Sequence, residues 1–246
     1  MIISPEMGSI RVLGVRVDDL DTQGTLDRIE ELLAAGGHHL VATVNPEFVM
    51  LARRNPEFRR LLEGAALCLA DGWGVTWAAR RQGRPLPDRI TGVDLIPALA
   101  DRAARHGWRL YLLGAAPGVA EAVAALLKAR QPDLVVAGCH AGVAGPEGDD
   151  ESVRLISAAH PDIVFVAYGA PRQELWIGRN LGRLEARIGI GVGGAFDYLS
   201  GRVPRAPAWM RRTGLEWLYR LFRQPWRARR MAVLPRFAWE VLRERA

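Results

Sequence analysis

Along residues 10–192, short apolar blocks alternate with longer stretches in which apolar positions return every third or fourth residue. The first pattern belongs to strands buried on both faces, the second to helices with one apolar side. Ile10–Val17, His39–Val44, Ala66–Ala70, Arg109–Leu113, Leu134–Ala137, Ile163–Ala167 and Arg187–Val192 are the expected strands. Thr22–Ala35, a stretch from about Gly74 to Arg81, Val119–Arg130, Asp150–Ala159 and Gln173–Leu181 are the expected helices. Asp21 and Thr22 stand as a cap before the first helix, and Asn45-Pro46-Glu47 reads as N-cap, proline at the first helical position and acidic first turn. Strands of this kind joined by helices predict an α/β fold, a Rossmann-like, mostly parallel sheet sandwiched by helices. Past Gly201 the strand pattern stops. Pro204 and Pro207 punctuate the chain, and two helical stretches follow, Leu215–Phe222 and Trp226–Leu242. The chain therefore divides into an α/β body, residues 1–201, and a C-terminal helical appendage, residues 202–246.

Charge follows the same division. Residues 202–246 hold twelve arginines against three glutamates, a net of +9, which leaves −3 for the first 201 residues of a chain whose total is +6. Trp209, Trp217, Trp226 and Trp239, half of the eight tryptophans, lie in the same segment. Three readings of this tail stand side by side: an arginine surface for nucleic acid, an interfacial element with tryptophans at headgroup level, or helices whose aromatics pack on the body. Composition at large, 49% hydrophobic and 24% charged, excludes a disordered or collagen-like chain. No apolar run approaches the about 18 residues that a spanning helix needs. The start, Met1 to Pro5, has neither the basic nor the apolar region of a secretory signal. With Cys68 and Cys139 both in apolar, strand-like runs, the expectation is buried free thiols in a reducing compartment.

In an open parallel sheet, ligands bind beyond the carboxyl ends of the strands. That rule selects Thr43 and Asn45, Asp71-Gly72, the turn from Gly114 to Gly118, Gly169 to Gln173, and Gly191 to Asp197. Each residue also has a plainer reading. Asp71 and Asn45 suit helix caps, Gln173 and Glu174 suit a first helical turn, and Asp197 suits a turn as well as a ribose hydroxyl. Gly114-Ala-Ala-Pro-Gly118 lacks the spacing of a dinucleotide fingerprint. The five histidines (38, 39, 106, 140 and 160) show no ligand spacing, and Asp19-Leu-Asp21, which matches an acidic motif of metal-dependent sugar-nucleotide enzymes, stands where caps are expected.

Taken together the motifs resemble a known family. Thr43-Val-Asn45-Pro-Glu47-Phe, Ala70-Asp71-Gly72-Trp-Gly74, Arg89-Ile-Thr-Gly92-Val-Asp94, Leu112-Leu-Gly114-Ala-Ala-Pro-Gly118, Gly169-Ala-Pro171-Arg-Gln173-Glu174 and Gly191-Val-Gly193-Gly-Ala-Phe-Asp197 occur in the order of the WecG/TagA/CpsF glycosyltransferases, glycosyltransferase family 26. The terminal run from Ala206 to Arg230 extends the likeness. The resemblance implies inverting, metal-independent transfer of a sugar from a UDP donor to an undecaprenyl-diphosphate-linked acceptor, by a cytoplasmic protein at the inner membrane face. It implies no cofactor and no nucleic-acid partner, and leaves a homo-oligomer open. An N-acetylmannosamine-type donor leads; UDP-glucuronic acid or another UDP-hexose is the alternative, and a non-enzymatic nucleic-acid module stands behind both. Residue by residue it makes Asp71 the general base, with Thr43 and Gln173 as polar active-site positions. Asn45, Arg89 and Gly114 fall in the substrate pocket and Asp197 on the nucleotide side, while Arg220, Arg227 and Arg230 reach a diphosphate from the tail. At Val143 the chain departs from the family, which commonly carries an aromatic there, so a stacking contact is not expected from that residue. Chemistry agrees: inverting transfer needs one carboxylate base, and arginine forks suit a leaving diphosphate.

Overall fold

The computed structural model describes residues 8–244 except 224, 226 and 227, and only the backbone at 212, 220 and 229. An antiparallel hairpin, β1 (Ser9–Val12) and β2 (Val15–Asp18), precedes α1 (Thr22–Ala35), β3 (His39–Val44), α2 (Pro46–Ala52), α3 (Pro56–Glu63), β4 (Leu67–Ala70), α4 (Trp73–Arg81) and α5 (Gly92–His106). Then come β5 (Arg109–Gly114), α6 (Val119–Arg130), β6 (Val135–His140), α7 (Asp149–Ala159), β7 (Ile163–Ala167), α8 (Arg172–Asn180), β8 (Ile188–Gly191) and α9 (Ala195–Leu199). The appendage contributes α10 (Ala208–Arg212), α11 (Glu216–Arg223), α12 (Ala228–Met231) and α13 (Val233–Arg243).

Six strands form one sheet in the order β4-β3-β8-β7-β5-β6, and every pairing in it is parallel. Alternate residues of each strand feed two separate cores. Leu40, Ala42 and Val44 of β3, with Val164 and Val166 of β7, face α2, α4 and α8, whereas Val41, Ile163 and Phe165 face α1, α5 and α6. Helices therefore cover both faces, which is why the strands read as unbroken apolar runs. In β8 the alternation is Ile-Gly-Ile-Gly. The isoleucines enter the second core, and the glycines let α8 close in on the other face: a Cβ on Gly189 would stand 2.7 Å from Ile177 Cγ2.

Three expectations are corrected. Ile10–Val17 is not one strand but a hairpin, because Leu13 and Gly14 both take positive φ (49° and 86°) and turn the chain in two residues. The apolar phase shows it in retrospect, since Ile10 and Val12 are out of step with Val15 and Val17. Trp226–Leu242 is not one helix: within the described part it divides at Ala232 into α12 and α13. Pro235 is the cause, having no N–H for the carbonyl of Met231 and a ring that crowds it. Trp226 itself lies outside the described residues. The thiols are both free, but only Cys68 is fully buried and Cys139 is half-buried. Burial pushes each up to about 11, so neither is a thiolate at neutral pH. Helices α3, α5, α9 and α10 occupy stretches in which the sequence marks no element, and α3 and α5 are the two longer ones. Each of these two carries its own start signal, Asn55 before Pro56 and Thr91 before Gly92, with side chains that accept from Phe58 N–H and Asp94 N–H.

The appendage packs on the body rather than standing off from it. Phe237 and Val241 of α13 are buried in the first core, where α13 lies on α2. Gly74 permits that approach, since a Cβ there would stand 2.6 Å from Pro46 Cγ and 3.4 Å from Phe237 Cε1. Arg205, in the connection, donates to both carboxylate oxygens of Asp94 at 2.6 and 2.8 Å. Burial works against the Asp94 charge, but the hydrogen bonds from Arg205 and Thr91 outweigh it and hold the carboxyl below its usual range.

Candidate active site

Asp71 follows β4 at the carboxyl edge of the sheet, its N–H donating to Val44 O at 2.8 Å. It is half-buried in a cleft of about 730 Å³ between body and appendage. Asn45, Glu47 and Arg89 line the body side, and Glu216, Trp217 and Phe237 line the appendage side. Trp73 and Trp77, ring centroids 6.1 Å apart and nearly parallel, extend the wall next to Asp71. A second, smaller cavity of about 370 Å³ shares Trp73 and Arg89 and reaches Arg211. The site thus combines three carboxylates, Asp71, Glu47 and Glu216, with large aromatic faces and nearby arginines.

Two ion pairs close the cleft across the body–appendage boundary. Arg230 donates Nε and Nη2 to Oε2 of Glu47 at 2.8 and 2.6 Å. Arg89 Nη1 stands 3.6 Å from Oε2 of Glu216. Arg230 also overhangs the loop after β7, with its Nη1 4.0 Å from where a Cβ on Gly169 would lie. Within hydrogen-bond reach of a diphosphate, both guanidiniums could exchange a carboxylate for a phosphate oxygen, because the same planar fork serves either anion.

The other residues singled out by sequence fall into three groups. Asn45 lines the cleft, but its Oδ1 accepts from Phe48 N–H at 3.1 Å, so it caps α2 and keeps its amide NH₂ for other partners. Thr43 and Gln173 are buried and turned inward. Thr43 Oγ1 donates to Gly191 O at 2.9 Å, and Gln173 Oε1 accepts from Gly169 N–H at 3.0 Å and Gly193 N–H at 2.9 Å. They set the spacing of the loops after β7 and β8. Gly114 and Asp197 lie at the carboxyl ends of β5 and just beyond β8, outside the linings of both cavities. At Gly114, φ is +102° and a Cβ would stand 2.8 Å from the Ala167 carbonyl carbon, so glycine is needed there for backbone approach. Arg227 is outside the described residues, as is the side chain of Arg220. Asp21 caps α1, accepting from Gly24 N–H at 2.7 Å. Among the described residues no group of three or more His, Cys, Asp or Glu side chains converges to hold a metal ion.

Glu47, Glu216, Trp217 and the Asp94–Arg205 tie were not singled out by sequence. Glu47 and Asp94 do lie inside the family motifs, so position in a motif was the available signal. Glu216 and Trp217 lie inside the terminal run that extends the likeness, but only the docking of the appendage brings them to the cleft.

A profile of the WecG/TagA/CpsF glycosyl transferase family matches residues 10–246. The chain belongs to this family. Its relatives include proteins named N-acetylglucosaminyldiphosphoundecaprenol N-acetyl-beta-D-mannosaminyltransferase. The one from Bacillus subtilis (strain 168) is 36% identical over 207 residues, covering 83% of this chain and 79% of the relative. The one from Staphylococcus aureus (strain MRSA252) is 31% identical over 235 residues, 94% of this chain and 91% of the relative. Membership in the WecG/TagA/CpsF family makes this chain a glycosyltransferase. The match runs through the appendage, which is therefore part of the family architecture and not an addition peculiar to this chain.

Proposed function

We propose that the protein moves an N-acetylmannosamine-type sugar from a UDP donor to N-acetylglucosaminyl-diphosphoundecaprenol, with inversion and without a metal ion, at the inner face of the cytoplasmic membrane. One observation carries the reading. Asp71 opens into an aromatic-walled cleft that body and appendage complete together, in a chain whose relatives are named for this transfer. The acceptor sugar enters beside Trp73, and Asp71 takes the proton from its attacking hydroxyl. As the new C1–O bond forms, the bond from C1 to the diphosphate oxygen breaks on the opposite face, and UDP leaves with the electron pair. Its growing charge is met by arginines and by backbone N–H groups of the glycine turns. Arg230 already stands over one of those turns, and Arg220 and Arg227 of the same segment are assigned with it.

The membrane assignment is supported by what the appendage leaves uncovered. Trp209 is 60% and Phe222 77% exposed, and Trp217, Trp239 and Leu242 also present apolar surface. Arg243 stands over the Trp239 ring, 5.6 Å from its centroid, and aromatic rings among basic side chains suit an anionic interface. No helix among the described residues is long and apolar enough to cross a membrane.

The direct test is to incubate the protein with UDP-N-acetylmannosamine and a lipid-linked N-acetylglucosamine acceptor. The disaccharide-lipid is expected; transfer only from UDP-glucuronic acid or another UDP-hexose would move the donor assignment, and no transfer from any UDP-sugar would sink the reading. In the same assay EDTA is expected to leave the rate unchanged, since arginines offset the diphosphate. Loss on chelation with rescue by Mg²⁺ or Mn²⁺ would show that a divalent ion takes that role.

A further inference from the structure

Glu174 lies in the first turn of α8 with no exposed surface. Its Oε1 accepts from Gln173 Nε2 at 2.6 Å, and its Oε2 finds no hydrogen-bond partner among the described residues. A buried carboxyl with one unsatisfied oxygen destabilises the fold relative to an apolar residue of similar size, so its presence calls for another explanation.

Its neighbours supply one. Gln173 Oε1 joins the N–H groups of Gly169 and Gly193, which begin the loops after β7 and β8. Were that amide flipped, its NH₂ would face two N–H donors, and Glu174 Oε1 is the acceptor that keeps the NH₂ on the other side. Strand β8 makes the space: a Cβ on Gly191 would collide with Glu174 Oε1 and stand 2.7 Å from Gln173 Nε2. Glu174 thus anchors the staple that joins the loops after β7 and β8.

Burial pushes the Glu174 carboxyl up to about 7, opposed by the Gln173 hydrogen bond and by the charge of Arg230. Arg230 is shared with Glu47. Strands β3, β7 and β8 bring no titratable side chain to the edge beside Glu174. Tyr168, just past β7, is itself pushed up by burial. On α7, Asp149 is engaged by Arg179 at 3.0 Å on the last turn of α8, and α3 meets α8 through Leu61 and Gly178.

We propose that Glu174 is a positioning residue for the nucleoside diphosphate: it locks the Gln173 amide onto both glycine loops, and it takes up a proton when the diphosphate engages Arg230. The inference rests on the donor reading above. A diphosphate over these loops draws off the cation that supports the ionised carboxylate and adds negative charge of its own; both favour the neutral acid. The neutral acid keeps a carbonyl oxygen for Gln173, so the staple survives while one negative charge disappears from beneath the phosphates.

Because the bound form holds its proton more tightly than the free form, uptake is largest above the free value and affinity falls as pH rises through it. Calorimetry of the full chain with UDP at about pH 8, in buffers of different ionisation enthalpy, reads the proton count directly. Uptake approaching one proton per UDP is expected in the unsubstituted protein and close to none in Glu174→Gln. Affinity should fall by more than about tenfold from about pH 7 to about pH 9 in the former and stay flat in the variant. UDP binding without uptake in the unsubstituted protein overturns the proposal, whatever the variant does, and so does an uptake that persists in Glu174→Gln. Failure of UDP to bind at all would instead overturn the donor reading on which the proposal stands.

Discussion

Asp71→Asn is expected to lower the rate of sugar transfer by about 10²–10⁴-fold, the usual loss on removing a general base, while UDP affinity stays within a few-fold. The substitution keeps the shape and hydrogen-bonding reach of the side chain, so the cleft is preserved and only the proton acceptor is lost. Asp71 stands on a rigid support, with its own N–H bonded to Val44 O and the fully buried strand β4 behind it. The asparagine variant should therefore fold and melt like the parent. Arg205 feels the Asp71 charge, among others, as a stabilising influence, so a small loosening of the appendage is the structural effect to monitor. Steady-state kinetics with both substrates, beside UDP calorimetry, separates the two outcomes. Turnover near the parent value in Asp71→Asn would remove the residue from the mechanism.

Ending the chain after Gly201 is expected to abolish transfer and vesicle binding together while leaving a folded but less stable body. The sheet and its strand–helix alternation are complete by α9, which is why the body should still fold. It loses Phe237 and Val241 from its first core, each nearly fully buried. Burying a side chain of this size contributes about 1.5–3 kcal/mol, so a fall of roughly 10 °C in melting temperature is expected for a body of this length. The ion pairs Arg53–Glu240, Arg89–Glu216 and Arg230–Glu47, each partly open to solvent, are lost as well and add to the fall. Catalysis goes because one wall of the cleft leaves, with Trp217 and the arginines of the segment. Membrane binding goes with the tryptophans and a net charge of +9, each basic residue near an anionic surface being worth about 1 kcal/mol. Charge-removing substitutions at Arg220, Arg227 and Arg230 separate the two roles. With a water-soluble, short-chain acceptor the triple variant should be nearly inactive, yet it should retain part of its lipid binding. Full activity on that acceptor would reduce the appendage to an anchor.

Local physics made much of this protein legible without a structure. The strands β3 and β7 and the helices α1 and α6 fall on the expected residues, because an apolar run buried on both faces and a capped amphipathic stretch are properties of neighbouring residues. The carboxyl-edge rule, applied to the expected strands that correspond to β3, β4, β7 and β8, reached Asp71, Asn45 and the loops at Gly169 and Gly193. The motif order was specific enough to reach the family, which the match over residues 10–246 supports. What the sequence could not determine is which way each polar residue at that edge turns. Thr43, Gln173 and Asp71 look alike as polar residues near strand ends, yet two bond inward to backbone groups and one opens to the cleft. Their partners lie 148 and 20 residues away for Thr43 and Gln173, and Arg230 meets Glu47 across 183. Such pairs form only when the sheet has brought distant loops together and the appendage has docked. Tertiary structure therefore decided the walls of the cleft, the pairing of its arginines and the burial of Glu174, because each depends on atoms that no local stretch of chain contains.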